Sequence, residues 1–116
     1  MAIDSFVDAI PRIIRIYQTA EGEKPFADWM AGLQSQRIHG IVLNRMDRVR
    51  RGNFGDHRSV GEGVFEIRID FGPGYRVYYG LDGERQEFVV LLVGGSKGNQ
   101  SADIAAAQSF WRDYNA

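Results

Sequence analysis

The chain has 116 residues and a mass of 13.1 kDa, and its 44% apolar and 25% charged residues are typical of one folded domain rather than a disordered chain. It has no cysteine, which excludes disulfide scaffolds, thiolate zinc sites and cysteine nucleophiles. No apolar run approaches the roughly 20 residues of a membrane helix, and Asp4 and Asp8 lie where a signal peptide carries positive charge. We therefore expect a cytoplasmic protein without membrane association. Its single domain should span residues 1–116, with residues 1–11 as a loosely ordered extension.

Charge is unevenly distributed along the chain, although 14 basic and 15 acidic residues give a net charge of −1. Six arginines and only two aspartates, Asp47 and Asp56, lie between Arg37 and Arg58, which leaves eight basic and thirteen acidic residues elsewhere. The arginines are Arg37, Arg45, Arg48, Arg50, Arg51 and Arg58. Such a cluster is typical of a surface that binds a polyanion. The alternative is a helix whose last turn is basic because cations suit the C-terminal end of the helix dipole.

The first half of the chain predicts a strand and two helices. Residues 12–19 are rich in β-branched side chains and form the strand. Pro25 then begins a short helix whose apolar residues share one face. These residues are Phe26, Trp29, Met30 and Leu33. A second helix follows residues 34–36 and ends at Gly52 and Asn53. The short polar link between the two helices predicts an antiparallel helical hairpin.

The second half of the chain predicts a sheet and a last helix. Residues 53–63 form an ordered loop that can hold a short strand near Val60. Alternating or continuous apolar residues then predict three strands, at residues 63–71, 75–80 and 88–93, with tight turns between them. Ser101 is a good N-cap for a C-terminal helix. The order β-α-α-β-β-β-α predicts an α+β fold with a mainly antiparallel sheet and the helices on one side.

One face of the predicted hairpin at residues 63–80 carries charge. Glu66 and Arg68 are two residues apart on one strand, so they point to the same side, and Arg76 can lie beside them on the next strand. Two guanidinium groups can bind the non-bridging oxygens of a phosphate, and a carboxylate can accept a proton from an attacking hydroxyl. The alternative is a cross-strand ion pair on a solvent-exposed sheet face.

Three further residues are candidates for a site. Lys97 follows the most apolar strand in a glycine-rich loop and can present a cation to an anion, or it can simply be solvated. His57 can carry a proton near pH 7 or contact RNA, or be an exposed loop residue. Tyr78 shares a face with Arg76 and can stack on a base. The sequence has no motif with metal-ligand spacing, so we expect no metal and no other cofactor.

Four segments together resemble the RelE/ParE toxins, and more narrowly their HigB-like branch of phage-related addiction module killer proteins. The segments are Phe26-x-x-Trp29, residues 38–56 (the second helix with Gly52-Asn53-Phe54-Gly55-Asp56 after it), the hairpin from Phe65 to Tyr79 with its Gly72-Pro73-Gly74 turn, and Gly94-Gly95-Ser96-Lys97 followed by Gln100-x-x-Asp103-Ile104. The resemblance covers about residues 13–112. It implies the RelE/ParE-like version of the fold described above.

The resemblance implies a bacterial type II toxin that a small helix-turn-helix antitoxin neutralises, with DNA bound only through the toxin–antitoxin complex. Toxins of the RelE and HigB kind enter the ribosomal A site and inhibit translation by cutting mRNA without a metal, which leaves a 2′,3′-cyclic phosphate. The ParE kind shares the fold and inhibits DNA gyrase without acting as an enzyme. A toxin that has lost activity and only binds its antitoxin is the third alternative.

The resemblance also assigns roles to individual residues. Arg76 matches the strand arginine that holds the scissile phosphate, Arg68 matches a basic position, and Lys97 matches the cation after the last strand. Glu66 lies where RelE has a lysine, which makes it the candidate general base, and Ile104 falls near the position of the C-terminal tyrosine of RelE. The residues expected to contact RNA are Arg45, Arg48, Arg51, His57, Arg58 and Tyr78.

Overall fold

The computed structural model describes residues 10–116, so most of the predicted N-terminal extension lies outside the described residues. The elements in chain order are β1 (Ile13–Ile16), α1 (Pro25–Gly32), α2 (Gln36–Arg50), β2 (His57–Gly61), β3 (Val64–Ile69), β4 (Tyr75–Asp82), β5 (Phe88–Ser96) and α3 (Gln100–Tyr114). Within residues 10–116, no helix is long and apolar enough to cross a membrane.

The five strands form one mixed sheet in the order β1-β5-β4-β3-β2. β1 runs parallel to β5 and the other neighbours are antiparallel, which confirms the α+β class and the mainly antiparallel sheet. The predicted loop at residues 53–63 contains β2, which includes Val60, so the short strand near Val60 is confirmed and adds one strand to the predicted order β-α-α-β-β-β-α. β2 is an edge strand with mostly exposed side chains, and it therefore lacks the apolar alternation that would have identified it.

Helices cover both faces of the sheet, and the prediction that they lie on one side is wrong. The core on the α1–α2 face includes Phe26, Met30, Val42, Met46, Val49, Ile67, Val77 and Leu91. The core on the α3 face includes Tyr17, Val64, Tyr78, Val90, Leu92, Ala107 and Trp111. Helices are needed on both faces because most side chains of β4 and β5 are buried, on whichever face of the sheet they lie.

The helices α1 and α2 begin and end close to the predicted residues. Pro25 occupies the first turn of α1 as expected. The Ser35 side chain caps α2 by accepting a hydrogen bond from the Ile38 backbone N–H at 3.3 Å. Gly52 follows α2 with φ +94°, which confirms it as the left-handed stop.

β5 continues through Gly94, Gly95 and Ser96, although these residues were predicted to end it at Val93. A Cβ at Gly94 would overlap the Trp29 ring of α1, and a Cβ at Gly95 would overlap the Asp103 carboxylate of α3. The two glycines therefore let helices approach both faces of the strand. α3 begins at Gln100 after Asn99, so Ser101 lies inside the first turn and the prediction that it is the N-cap is wrong.

Candidate anion-binding site

A pocket of about 260 Å³ lies where β3 and β4 meet their turn and β5 ends. It is lined by Asp56, Arg68, Ile69, Asp70, Gly72, Pro73, Gly74, Arg76 and Lys97. Arg68 and Arg76 are directly opposite one another in the β3–β4 register, and side chains paired in this way share a face. The Lys97 backbone N–H donates to the Gly74 carbonyl at 3.1 Å, which joins the end of β5 to the β3–β4 turn. The structure thus brings together Arg68 and Arg76, the predicted phosphate clamp, and Lys97, the separate cation of the resemblance.

Arg76 is the most buried charge in the pocket wall. Its side chain is only 9% exposed, and its Nε lies 3.6 Å from Oε2 of Glu66 without a hydrogen bond to any described residue. Its Nη1 makes a long contact of 3.5 Å with its neighbour's carbonyl oxygen, that of Tyr75. A guanidinium has five N–H donors, and a buried one gains stability when an anion accepts from them. Arg76 therefore provides a fixed cation at the back of the pocket.

Arg68 and the acidic residues form the outer wall of the pocket. Arg68 is 48% exposed, and its Nε lies 4.0 Å from Oδ2 of Asp56. Its backbone N–H also donates to the Asp56 carbonyl oxygen at 2.9 Å, which holds the two residues together. Asp56 and Asp70 were not predicted as site residues, although Asp70 shares a face with Arg68 by simple alternation. Three basic and two acidic side chains thus line the pocket, which leaves it an excess of positive charge.

Glu66 is fully buried and does not line the pocket. Its Oε1 accepts from Arg58 Nε and its Oε2 accepts from Gln100 Nε2, both at 2.9 Å. Burial raises the pKa of Glu66, but its hydrogen bonds with Arg58 and Gln100, the nearby Tyr78 hydroxyl and the Arg58 charge outweigh burial, and the pKa lies below its ordinary value. A buried carboxylate held in its charged form by two donors is not placed to take a proton from a substrate. The geometry therefore does not support Glu66 as the general base.

The same network shows why this sheet face is not open to solvent. Gln100 lies at the start of α3, so its bond to Glu66 fixes the helix over the charged side of β3 and β4. Tyr78 is fully buried beneath α3, and its interpretation as a base-stacking residue is wrong. Burial and the neighbouring Glu66 charge raise the pKa of Tyr78. The alternative of a cross-strand ion pair is present, because Glu66 pairs with Arg58 on β2 and with Arg76 on β4, but Glu66 is buried and not on a solvent-exposed face.

Asp103, in the first turn of α3, is a half-buried acid with no role assigned from the sequence. Its carboxylate packs over Gly95, which is opposite Arg76 in the β4–β5 register. Its Oδ2 makes no hydrogen bond to any described residue, and burial raises its pKa. The glycine at position 95 is the feature of the sequence that could have indicated this contact, because only a glycine lets a carboxylate lie so close to the strand.

The residues expected to contact RNA are in different environments. Arg45 is half-buried, and it donates to the carbonyl oxygens of Arg68 at 2.9 Å and Phe54 at 3.1 Å. Burial, followed by the nearby Arg48 charge, lowers its pKa. Arg45 therefore fixes the backbone of the pocket wall instead of facing solvent. The Arg48 side chain, by contrast, is exposed and makes no hydrogen bond or ion pair among residues 10–116.

The other three predicted RNA contacts are exposed. Arg51 is paired with Asp47 at 3.2 Å, and Arg58 keeps about half of its side chain exposed while it holds Glu66. His57 lies beside the Gly55 carbonyl oxygen, 2.9 Å from its Nδ1. It lines a different pocket, which contains Phe54 and Tyr79, and is not part of the pocket at the β3–β4 turn.

Together, the fold and the site define a small α+β protein with a pocket of excess positive charge at the end of a mixed sheet, which we call the anion pocket. The chain is 43% identical over 83 residues to an uncharacterized protein of Haemophilus influenzae, a match that covers 72% of this chain and 82% of that protein. The chain belongs to the family of this Haemophilus protein. No protein-family model and no solved structure matches the present chain.

Proposed function

We propose that the protein is the toxin of a bacterial type II toxin–antitoxin pair, with the RelE/ParE-like fold of the HigB-like branch, and that it inhibits translation by cutting mRNA on the ribosome. The observation that carries the proposal is the convergence of Arg68, Arg76 and Lys97 on one pocket. An RNA phosphodiester is an anion with two non-bridging oxygens, which matches two guanidinium groups and an ammonium.

In the proposed reaction the ribose 2′-hydroxyl of the RNA is the nucleophile. Its oxygen attacks the adjacent phosphorus and gives its proton to solvent water, the bond from phosphorus to the 5′-oxygen breaks, and the 5′-oxygen takes a proton from water and leaves as a hydroxyl. The products are a 2′,3′-cyclic phosphate and a 5′-hydroxyl end. Arg76 and Arg68 bind the non-bridging oxygens, where negative charge increases in the transition state, and Lys97 stabilises the charge on the leaving oxygen.

The buried partners of Arg76 support this role because they fix the guanidinium before RNA binds. Arg76 lies between the Glu66 carboxylate and the pocket, and Glu66 is held from two other directions by Arg58 and Gln100. A fixed cation needs no reorganisation when charge develops on the phosphate, which is the main source of electrostatic catalysis. In the proposal, Glu66 is a positioning residue for Arg76 and not a proton acceptor.

The exposed arginines outside the pocket supply the wider RNA surface in this proposal. Arg48 and Arg51 lie at the end of α2, and Arg58 lies on the edge strand β2. They concentrate positive charge on a chain that is otherwise acidic, which favours the approach of ribosomal RNA and mRNA. The partner that would neutralise the toxin is a helix-turn-helix antitoxin, and contact with DNA would be indirect.

Cleavage of mRNA on purified ribosomes tests the proposal. The full chain is added to ribosomes that hold an mRNA, and the new RNA ends are mapped and analysed chemically. We expect cuts with 2′,3′-cyclic phosphate ends for the native chain and at least a hundredfold slower cutting for Arg76→Ala. Arg112→Ala is the matched control, because Arg112 is exposed and paired with Glu62 on the surface at 2.7 Å. Equal cutting by the native chain and Arg76→Ala would overturn the assignment.

A further inference from the structure

A second pocket directly adjoins the anion pocket. It has a volume of about 360 Å³ and lies between α2 and the end of β3. It is lined by Ile41, Asn44, Arg45, Arg48, Ile69, Asp70 and Phe71. Ile69 and Asp70 also line the anion pocket, so the two pockets share a wall. A ligand with an anionic group and a second group a few ångströms away can occupy both.

We call this pocket the α2 pocket. One of its polar side chains is hydrogen-bonded within the protein and three are not. The Nη atoms of Arg45 are bound to the carbonyl oxygens of Phe54 and Arg68. Asn44, Arg48 and Asp70, by contrast, make no side-chain hydrogen bond or ion pair within the part of the chain that the structure describes. The pocket therefore presents a free amide, a free guanidinium and a free carboxylate.

The remaining walls of the α2 pocket are apolar. Ile41, Ile69 and Phe71 provide aliphatic and aromatic surface. The Phe71 ring is only partly buried, and the Arg37 guanidinium lies 5.0 Å from its centroid. Apolar walls with a few polar groups are suited to a flat heterocycle whose faces are apolar and whose edge carries donors and acceptors. Because the anion pocket lies alongside and suits a phosphate, a nucleobase is the flat heterocycle that fits the α2 pocket.

The polar groups identify which base fits. A carboxylate only accepts hydrogen bonds, and its two oxygens match the adjacent N1–H and N2–H donors of guanine. Arginine and asparagine can donate to the O6 and N7 acceptors on the opposite edge. Adenine has no N1–H and no donor at its 2-position, so it offers the Asp70 carboxylate at most its single N6 amino group. Cytosine has one amino donor for the carboxylate and is a smaller ring.

We propose that the α2 pocket binds the guanine base of an RNA nucleotide whose 3′-phosphate lies in the anion pocket, with Asp70 as the residue that selects guanine. This inference rests on the proposed RNA-cutting function, and it adds a base specificity to the same site. Asp70 thereby has a role in the wall of an anion pocket where a carboxylate would otherwise only repel the phosphate.

Titration calorimetry of the full chain with small probes tests the proposal. The probes are guanosine 3′-monophosphate, adenosine 3′-monophosphate, cytidine 3′-monophosphate and inorganic phosphate. We expect the guanine nucleotide to bind about tenfold more tightly than the other two nucleotides, which is the usual discrimination of one bidentate base contact. Asp70→Asn should bring the three nucleotides to within about threefold of one another without weakening the binding of inorganic phosphate. Asp28→Asn, an exposed change on α1, should keep the native preference.

The outcomes separate this inference from the proposed function. If adenosine or cytidine 3′-monophosphate binds as tightly as the guanine nucleotide, or if Asp70→Asn keeps the preference, the base assignment is wrong and the anion pocket stands. If the native chain binds all four probes and Arg76→Ala binds them equally well, the phosphate clamp fails and the base assignment with it. If the native chain binds none of the probes, both fail.

Discussion

Glu66 and Arg76 form an ion pair inside the protein, with Arg76 Nε 3.6 Å from Glu66 Oε2 and both side chains at least nine-tenths buried. The pair has two further donors on the carboxylate side, from Arg58 and Gln100. On the guanidinium side it faces the anion pocket. The carboxylate thus sets the position of the cation, and the cation is left with donors for a ligand.

Replacing Glu66 should cost much more stability than replacing a surface glutamate. In Glu66→Gln the buried Arg76 loses its counter-charge, and we expect the free energy of unfolding to fall by about 3 kcal/mol. Glu62→Gln is the matched control, since the Glu62–Arg112 pair is more than half exposed and should contribute less than about 1 kcal/mol. Urea unfolding at pH 7 measures both. Equal losses for the two variants would contradict the buried role of Glu66.

The effect of Glu66→Gln should also depend on pH. The pKa of Glu66 is lower in the folded protein than its ordinary value of 4.5, so the folded state binds this proton less tightly than the unfolded chain. The Glu66 charge therefore stabilises the fold fully above about pH 4.5, and this stabilisation is lost as the pH falls through the lowered pKa. We expect the stability difference between the native chain and Glu66→Gln to shrink below pH 4.5. A difference that stays constant from pH 7 to pH 3 would show that the charge is not involved.

Arg45 and Arg48 should give opposite results although they are neighbours on α2. Arg45→Ala removes two hydrogen bonds to the carbonyl oxygens of Phe54 and Arg68, and we expect a loss of about 2 kcal/mol of stability. Arg48→Ala removes an exposed side chain, so we expect stability to change by less than about 0.5 kcal/mol while RNA binding weakens. Thermal unfolding and RNA titrations at fixed salt measure the two properties. An Arg48→Ala variant that binds RNA as the native chain does would remove α2 from the RNA surface.

Gly94 and Gly40 provide a matched test of how closely α1 packs on β5. A Cβ at Gly94 would overlap the Trp29 ring, so Gly94→Ala should destabilise the protein by about 2 kcal/mol or more. Gly40 lies within α2, and a Cβ there would meet no other atom within 4 Å. Gly40→Ala should therefore stabilise the protein by about 0.5–1 kcal/mol through helix propensity. If Gly94→Ala is as stable as the native chain, the helix does not lie this close to the strand.

The sequence was sufficient to place Glu66, Arg68 and Arg76 on one face, because a strand has a period of two residues and a tight turn fixes the register of its hairpin. It could not show that α3 covers this face. Alternation assigns a side chain to a face, but whether a helix covers that face depends on residues that are distant in the chain, such as Gln100 and Trp111. The continuous apolar run of β5 does indicate a strand covered on both faces, but the helices were nevertheless predicted on one side of the sheet.

The pocket itself was predicted less completely than the residues in it. Lys97 was placed there by resemblance, since no pattern shows that the end of β5 meets the β3–β4 turn. Asp56 was missed because β2 and the segment before it lack an apolar alternation, so their position at the sheet edge could not be derived. The roles of Arg45 and Glu66 were misjudged for a shared reason: a charged residue in a sequence does not show whether its partners are buried protein groups or a ligand.

Induction of the chain in a bacterium, with primer extension on an abundant mRNA, tests whether the protein cuts translated mRNA and whether Arg76 is required. The native chain and Arg76→Ala are compared side by side at equal expression. We expect growth arrest with in-frame cuts in translated regions for the native chain, and normal growth with intact mRNA for Arg76→Ala. Growth arrest with intact mRNA and a DNA-damage response would contradict it and indicate a gyrase inhibitor. No arrest by the native chain would also contradict it and leave a protein that only binds its antitoxin.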